Sequence, residues 1–226
     1  MAPQNTSTGK LAAVSALTTH AETHLLKPNH YLQSALSNSL AAGLPAITIS
    51  PLQGQFLALQ ARLISAKNIL EIGTLGGYST LWFASTGANV TSIEINPKHR
   101  EIAMQNFAAV KKEEGYGNVD VILGAALDVL PRLKEEGRVF DFVFVDADWG
   151  EQWECFEQAV KITRKGGVVY VDNVVRELFE SGFEGETLVS KVGKMKGVSA
   201  TMISTVTGWK KNPEEMVDGF LLAVVE

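Results

Sequence analysis

The sequence is poor in cysteine and has neither a dense run of basic residues nor an apolar run long enough to span a membrane. Cys155 is the single cysteine in 226 residues, so no disulfide can close within the chain, and no CxxC pair indicates zinc or redox chemistry. Lysine and arginine number 20 against 25 aspartate and glutamate residues, a net charge of −5, which argues against nucleic acid as a partner.

The sequence also lacks the marks of membrane targeting. No apolar run approaches the roughly 18 residues that cross a bilayer, and residues 1–10 are polar where a signal peptide would be apolar. We therefore expect a cytoplasmic protein without a membrane partner.

The length and the hydrophobic fraction of 46% predict one compact domain over residues 1–226. Apolar residues at helical spacing predict three helices near residues 11–25, 28–43 and from 50 onward, which together form a helical N-terminal extension over 1–66. In the third helix, Ser50 is expected to cap the N-terminus and Gln53 to reciprocate.

From residue 67 to 226, short apolar runs alternate with amphipathic stretches, which is typical of an α/β core with a parallel sheet covered on both faces. A glycine-broken, charged segment over 176–186 is expected to be irregular. The last two strands should pair antiparallel because the loop between them is short. Strands are predicted over 68–72, 90–95, 119–123, 140–145, 168–171, 199–206 and 220–225, and core helices over 77–85, 97–114, 126–136, 151–164 and up to 196.

A glycine turn follows the first predicted strand, and an acidic residue, Glu94, ends the second. Free N–H groups at such a turn can hold an anion, and Glu94 is placed to accept hydrogen bonds from two ribose hydroxyls. A dinucleotide site needs glycine at three spaced positions, which here read Gly73, Leu75 and Tyr78. S-adenosylmethionine has no pyrophosphate, so its site does not need glycine at all three positions. Glu71 could order the cationic methionine end of this cofactor. An ordinary strand-to-helix turn is the alternative interpretation of the loop.

Polar residues also follow the fourth and fifth strands, as Asp146 and Asp148 after one and Asp172 and Asn173 after the other. If the strands are neighbours, Asp146, Asp172 and Asn173 gather at one rim. Two carboxylates and an amide oxygen suit Mg²⁺, Mn²⁺ or Ca²⁺. The alternative is that Asp146 or Asp148 caps a helix and that residues 172–173 form a turn.

Together these motifs resemble the cation-dependent class I O-methyltransferases, which include the catechol and caffeoyl-CoA O-methyltransferases. The resemblance implies a Rossmann-like fold with seven strands, the last one antiparallel, together with S-adenosylmethionine, a divalent cation and a homodimer. The resemblance rests on Glu71-Ile72-Gly73, Tyr78-Ser79, Ile93-Glu94, Gly124-Ala125-Ala126, residues 141–148 and Val171-Asp172-Asn173-Val174.

Carried over by position, the resemblance implies two sets of site residues. The cation would be held by Asp146, which would thereby be catalytic, and by Asp172 and Asn173. The cofactor would be surrounded by Glu71, Gly73, Thr74, Ser79, Glu94, Ala126 and Asp148.

One position departs from the family. A lysine commonly stands three residues after the first metal aspartate and is taken to deprotonate the acceptor, whereas this chain has Trp149. Three interpretations of this difference remain open. The metal alone could ionise the acceptor, a base from elsewhere in the chain could replace the lysine, or the protein could bind the cofactor without catalysing transfer. Trp149 and Arg176 are candidate acceptor-site residues, and Trp153 and Phe156 either wall that site or pack in the core. Candidate bases are His20, His24, His30, Lys10 and Lys27.

The sequence thus predicts methyl transfer from S-adenosylmethionine to an oxygen of a small aromatic acceptor with vicinal oxygens, with help from Mg²⁺, Mn²⁺ or Ca²⁺. An NAD(P)-dependent oxidoreductase is the alternative from another class, disfavoured by Leu75 and Tyr78.

Overall fold

Seven strands form one sheet in the computed structural model, which describes residues 7–110, 115–209 and 216–226. The spatial order is β3-β2-β1-β4-β5-β7-β6, and β7 runs antiparallel to both of its neighbours while the other pairs are parallel. This confirms the predicted mostly parallel sheet with an antiparallel last strand. The strands are β1 Asn68–Ile72, β2 Asn89–Glu94, β3 Val119–Leu123, β4 Phe140–Val145, β5 Thr163–Val171, β6 Val198–Val206 and β7 Val217–Val225.

Helices cover both faces of the sheet, because alternate strand residues enter two separate apolar clusters. Phe142 and Tyr170 belong to the cluster under α2 to α5, while Val143 and Val171 belong to the cluster under α6, α7 and α9. The helices are α1 Ser7–Leu25, α2 His30–Ala41, α3 Pro51–Leu63, α4 Tyr78–Ala84, α5 Pro97–Val110, α6 Ala126–Glu135, α7 Gln152–Ile162, α8 Val174–Ser181 and α9 Leu188–Lys194.

Several predicted boundaries differ from the structure, most of all where α7 meets β5. Strand β7 begins at Val217, three residues before its predicted start. Strand β5 begins at Thr163, five residues before the predicted start, and α7 ends at Ile162. Two charged residues and two glycines over 164–167 concealed the start of the strand in the sequence. The register of β5 against β4 shifts between Phe140 and Phe142. The predicted end of the fifth helix, at residue 114, lies outside the described residues.

The expectation of an irregular segment over 176–186 was wrong for its first half, because α8 extends to Ser181. Val174 and Val175 are buried and Leu178 packs against the core, so the segment has an apolar helical face that the glycines after its end obscured.

Helix α2, which precedes β1, and helix α5 brace the loop that follows β1. A side chain added at Gly76 would meet Ser39 of α2 at 1.9 Å, and Asn106 of α5 donates a hydrogen bond to the Gly76 carbonyl at 2.9 Å. The apolar stripe predicted for α1 is not buried, since Leu17 and Leu25 are 65% and 68% exposed. Within the described ranges, no helix is both long enough and apolar enough to cross a membrane.

A fully buried carboxylate, that of Glu71, joins β1 to β2 and α4. Its two oxygens accept hydrogen bonds from the hydroxyls of Ser79 at 2.5 Å, Ser92 at 2.6 Å and Thr80. Burial outweighs these hydrogen bonds and raises the pKa of Glu71 to about 7.

Replacing Glu71 by glutamine should flatten the pH dependence of stability. The pKa of Glu71 is near 4.5 in the unfolded chain and about 7 in the fold, so the unfolded chain ionises first and wild-type stability falls as pH rises through this window. At about 1.4 kcal/mol per pKa unit the loss is about 3 kcal/mol. Urea unfolding at pH 5 and pH 8 should show this fall in wild type and in exposed Glu135→Gln, but not in Glu71→Gln. Equal falls in all three proteins would contradict the assignment.

Candidate active site

The loop between β1 and α4 lies directly against the end of β4. Gly73 has φ of +97°, and a Cβ at that position would lie 2.0 Å from the carbonyl oxygen of Asp146. Only glycine permits both the left-handed backbone and this close approach. Leu75 also has a positive φ, +50°, a conformation that costs a branched side chain energy. The loop therefore has a defined backbone conformation and contacts Asp146, the first candidate metal ligand.

Glu94, at the end of β2, fixes this loop through its carboxylate. One oxygen accepts hydrogen bonds from the backbone N–H groups of Thr74 at 3.2 Å and Leu75 at 2.7 Å. The other accepts from the N–H of Asn96 at 2.8 Å, and His99 Nδ1 lies 3.6 Å away. The residue predicted to bind ribose thus also ties the loop to β2.

The other predicted cofactor residues surround the same strand ends at different depths. The Thr74 hydroxyl lies 2.6 Å from that of Ser92, and Ala126 begins α6 just beyond β3. Glu71 has no exposed surface, so in this fold it supports the loop from beneath through Ser79. Whether these residues contact a cofactor stays a prediction.

The structure brings the three predicted cation ligands to one rim. Val145 pairs with Val171, and the N–H of Asp172 donates to the Val145 carbonyl at 2.9 Å, so Asp146 and Asp172 leave adjacent strands side by side. Asn173 follows with φ of +59° and opens α8. The predicted convergence of the two strand ends is present.

Negative charge is concentrated at this rim. Burial, and then the charges of Asp146 and Asp218, raise the pKa of Asp172 well above its usual range. Burial also raises the pKa of Tyr170, with a further contribution from the charge of Asp172. A bound cation would relieve both the burial of the Asp172 carboxylate and its repulsion by the neighbouring charges.

The donor set has the chemistry that a hard divalent cation requires. Asn173 donates through its amide nitrogen to Asp218 at 2.8 Å, which directs the amide oxygen away from that contact and leaves it available. Two carboxylates and one amide oxygen match Mg²⁺ or Mn²⁺. In the described part of the chain, no cluster of three or more His, Cys, Asp or Glu side chains is arranged as a metal site, so the amide is needed to complete this set.

Three polar residues that the sequence interpretation missed surround Asp172 and Asn173. Gln53 of α3 donates to the Asp172 carboxylate at 2.8 Å, and Gln152 donates to the Asp172 backbone carbonyl at 2.9 Å. Gln53 therefore does not reciprocate the Ser50 cap, although Ser50 does accept from the Gln53 N–H at 3.1 Å. The antiparallel pairing of β7 places Asp218 beside Asn173.

A cavity of about 360 Å³ opens on the other side of this rim. Its polar end contains Asp172, Asn173 and Asp218, and none of the seven predicted cofactor residues is among the described residues that line it. The rim thus separates the glycine loop from a largely apolar chamber. The apolar wall includes Ile49, Leu52, Phe56, Ile203, Val206 and Phe220.

A short 3₁₀ helix, Trp149–Glu151, follows β4, and Asp148 is its N-cap residue. Asp148 accepts a hydrogen bond from the Gly150 N–H at 2.8 Å. It therefore caps a helix, which is the alternative to a role in the site. The guanidinium of Arg176 lies over the Trp149 ring, 5.2 Å from its centre, and Arg176 lines the cavity.

The other candidates are not among the described residues that line the cavity. His20, His24, His30 and Lys27 are exposed, and the side chain of Lys10 is outside the described residues. Trp153 stacks on buried Phe156 at 6.3 Å and neither lines the cavity, which favours the core interpretation. Cys155 is buried, and burial raises the pKa of its thiol to about 12, as suits a packing residue.

Comparison with known proteins identifies the family. The family model described as O-methyltransferase matches residues 23–191. The chain is 40% identical over 206 residues to catechol O-methyltransferase of Mycobacterium tuberculosis, covering 86% of this chain and 88% of that protein. It is 39% identical over 205 residues to catechol O-methyltransferase of Niastella koreensis, covering 85% and 89%.

A solved structure supports the same conclusion. The O-methyltransferase from Bacillus cereus in complex with SAH superposes with a TM-score of 0.82 at 36% identity, covering 96% of this chain and 100% of that chain. The chain therefore belongs to the class I S-adenosylmethionine-dependent O-methyltransferase family.

Proposed function

We propose that this protein transfers a methyl group from S-adenosylmethionine to an oxygen of a small aromatic acceptor with vicinal oxygens, assisted by a divalent cation. The observation that carries the proposal is the position of the carboxylate rim between the glycine loop and the cavity. Gly73 abuts Asp146 on one side, and Asp172 and Asn173 line the cavity on the other.

On the loop side, the chain presents groups suited to the cofactor. S-adenosylmethionine supplies the methyl group when it is bound. Glu94 offers a carboxylate at the end of β2, where ribose hydroxyls are expected to donate. Ser79 lies in the first turn of α4, where free N–H groups favour an anion such as the cofactor carboxylate.

On the cavity side, the chain's residues would hold the acceptor oxygens and exclude water. A divalent cation, when bound by Asp146, Asp172 and Asn173, would fix an acceptor hydroxyl and favour its ionised form. The apolar wall would hold the aromatic ring, so that positioning and electrostatics contribute most of the rate. The exposure of His20, His24 and His30, and the absence of lysine and histidine from the described cavity lining, support ionisation without a dedicated base.

The two alternatives are separated by simple assays. The oxidoreductase is not favoured, since Leu75 and Tyr78 stand where a dinucleotide site needs glycine and the relatives are named O-methyltransferases. A silent cofactor-binding protein is tested with labelled S-adenosylmethionine and a panel of catechols, in Mg²⁺ or in EDTA. Incorporation in Mg²⁺ that chelation abolishes is expected. Full turnover in EDTA would reject cation assistance, and no incorporation into any acceptor would support the silent alternative.

The homodimer that the resemblance implies remains a proposal. It is supported by large apolar side chains on the N-terminal helices and their connections, which are 45–77% exposed and include Leu40, Ile47 and Leu63. Sedimentation should give about twice the chain mass of 24.4 kDa. A mass of one chain at micromolar concentration would contradict the dimer.

Replacing Glu94 by glutamine should weaken binding of S-adenosylhomocysteine. The substitution removes a charged acceptor that serves both the loop and the expected ribose hydroxyls. Hydrogen bonds to charged groups contribute about 1.5–3 kcal/mol, so the affinity should fall about tenfold to a hundredfold. Calorimetry of wild type, Glu94→Gln and the exposed control Glu101→Gln measures the effect. Unchanged affinity in Glu94→Gln would exclude the ribose role.

Replacing Asp172 by asparagine should strongly reduce cation-dependent methyl transfer. Asparagine has the same shape as aspartate and avoids the cost of burying a charge, so the variant should fold. The cation site is weakened because one charged ligand is lost. Loss of several kcal/mol of charge stabilisation lowers kcat at least about a hundredfold. Titration with Mn²⁺, together with the methyl-transfer assay, should separate Asp172→Asn from the exposed control Asp120→Asn. Equal Mn²⁺ affinity in the two variants would overturn the assigned ligand set.

A further inference from the structure

Arg176 places a positive charge beside the candidate metal ligands. It lies in the first turn of α8, its side chain is 22% exposed, and it lines the cavity. Its Nε is 3.8 Å from Oδ2 of Asp218, and Asn173 donates to that same oxygen at 2.8 Å. One carboxylate oxygen therefore stands between the guanidinium and a predicted cation ligand.

The guanidinium is held in place but not saturated with hydrogen bonds. Asp218 faces one side at a distance too long for a hydrogen bond, and the Trp149 ring lies under the plane, 5.2 Å from Cζ. Nε is buried without a hydrogen-bond partner, and no hydrogen bond from the guanidinium is present among the described residues. A buried donor left unpaired costs free energy unless a ligand satisfies it.

The cavity end has one positive side chain, and its unpaired donors favour an anionic oxygen. Asp146, Asp172 and Asp218 contribute three carboxylates, and the position after Asp146 that could carry a second cation is Trp149. Arg176 is the one cationic side chain in the described lining of the cavity. A guanidinium stays protonated, so it cannot act as a base, but its planar donor fork suits an oxygen anion.

We propose that Arg176, held by Asp218 and Trp149, binds an anionic oxygen of the methyl acceptor. This inference rests on the proposed function, and it adds a cationic contact on the acceptor side that the residue at position 149 does not supply. The oxygen is either the ionised ring hydroxyl or a carboxylate substituent on the ring. The two sources share the same chemistry and are separated by the choice of acceptor.

The test measures acceptor binding directly. Wild type, Arg176→Gln and Arg176→Lys, each saturated with S-adenosylhomocysteine and Mg²⁺, are titrated with catechol and with 3,4-dihydroxybenzoate by calorimetry. Arg138→Gln is the matched control, because Arg138 also lies over an aromatic ring, Phe140 at 5.5 Å, but does not line the cavity. Titration with S-adenosylhomocysteine alone reports whether each variant keeps its fold.

Loss of one charge-assisted contact should weaken acceptor binding about tenfold to a hundredfold in Arg176→Gln. Arg176→Lys should bind more tightly than Arg176→Gln, and Arg138→Gln should match wild type. A loss with both acceptors assigns the ring oxygen, and a loss confined to 3,4-dihydroxybenzoate assigns the carboxylate.

Wild-type affinity in Arg176→Gln, or equal weakening in the lysine and glutamine variants, would overturn the proposal. Failure of the proposed function is distinguishable, because wild type itself would then bind no acceptor and transfer no methyl group.

Discussion

The site depends on one buried carboxylate, that of Asp172, which the sheet places beside two further carboxylates. Adjacent parallel strands bring Asp146 and Asp172 to one rim, and the antiparallel β7 adds Asp218. Burial of the Asp172 carboxylate beside Asp146 and Asp218 has a cost that a divalent cation would offset. Gln53 and Asn173 donate hydrogen bonds to two of the three carboxylates. Because the rim lies between the glycine loop and the cavity, we propose the cofactor on the loop side and the acceptor on the cavity side.

The scaffold fixes the loop against the rim by similar means. Glu71 gathers three hydroxyls beneath the loop, Glu94 binds two of its backbone N–H groups, and Gly73 allows contact with the end of β4. Helices before β1 take part as well, since Ser39 packs on Gly76 and Gln53 reaches Asp172. The N-terminal extension is therefore part of the site's support on both sides of the rim.

Much of this arrangement could be predicted from the sequence, because it depends on strand ends. Buried parallel strands have nearly continuous apolar runs, and the residues after them lie at one edge, which located Gly73, Glu94, Asp146 and Asp172. Asp218 could also have been found, since a strand antiparallel to β5 must begin at that edge. Its place in a polar loop concealed it.

Other features had no local sign in the sequence. Gln53 lies 119 residues from Asp172, so its contact depends on how α3 packs, and its position suggested a helix cap instead. The contact of Arg176 with Trp149 depends on α8, whose apolar face was hidden by the glycines that follow it.

Diffraction from crystals grown with Mn²⁺ and S-adenosylhomocysteine tests the rim most directly. We expect an anomalous peak in contact with Asp146, Asp172 and the amide oxygen of Asn173, and S-adenosylhomocysteine against the Gly73 loop. A structure with S-adenosylhomocysteine bound but no anomalous density at the rim, or with the two aspartates turned apart, would contradict the proposed site.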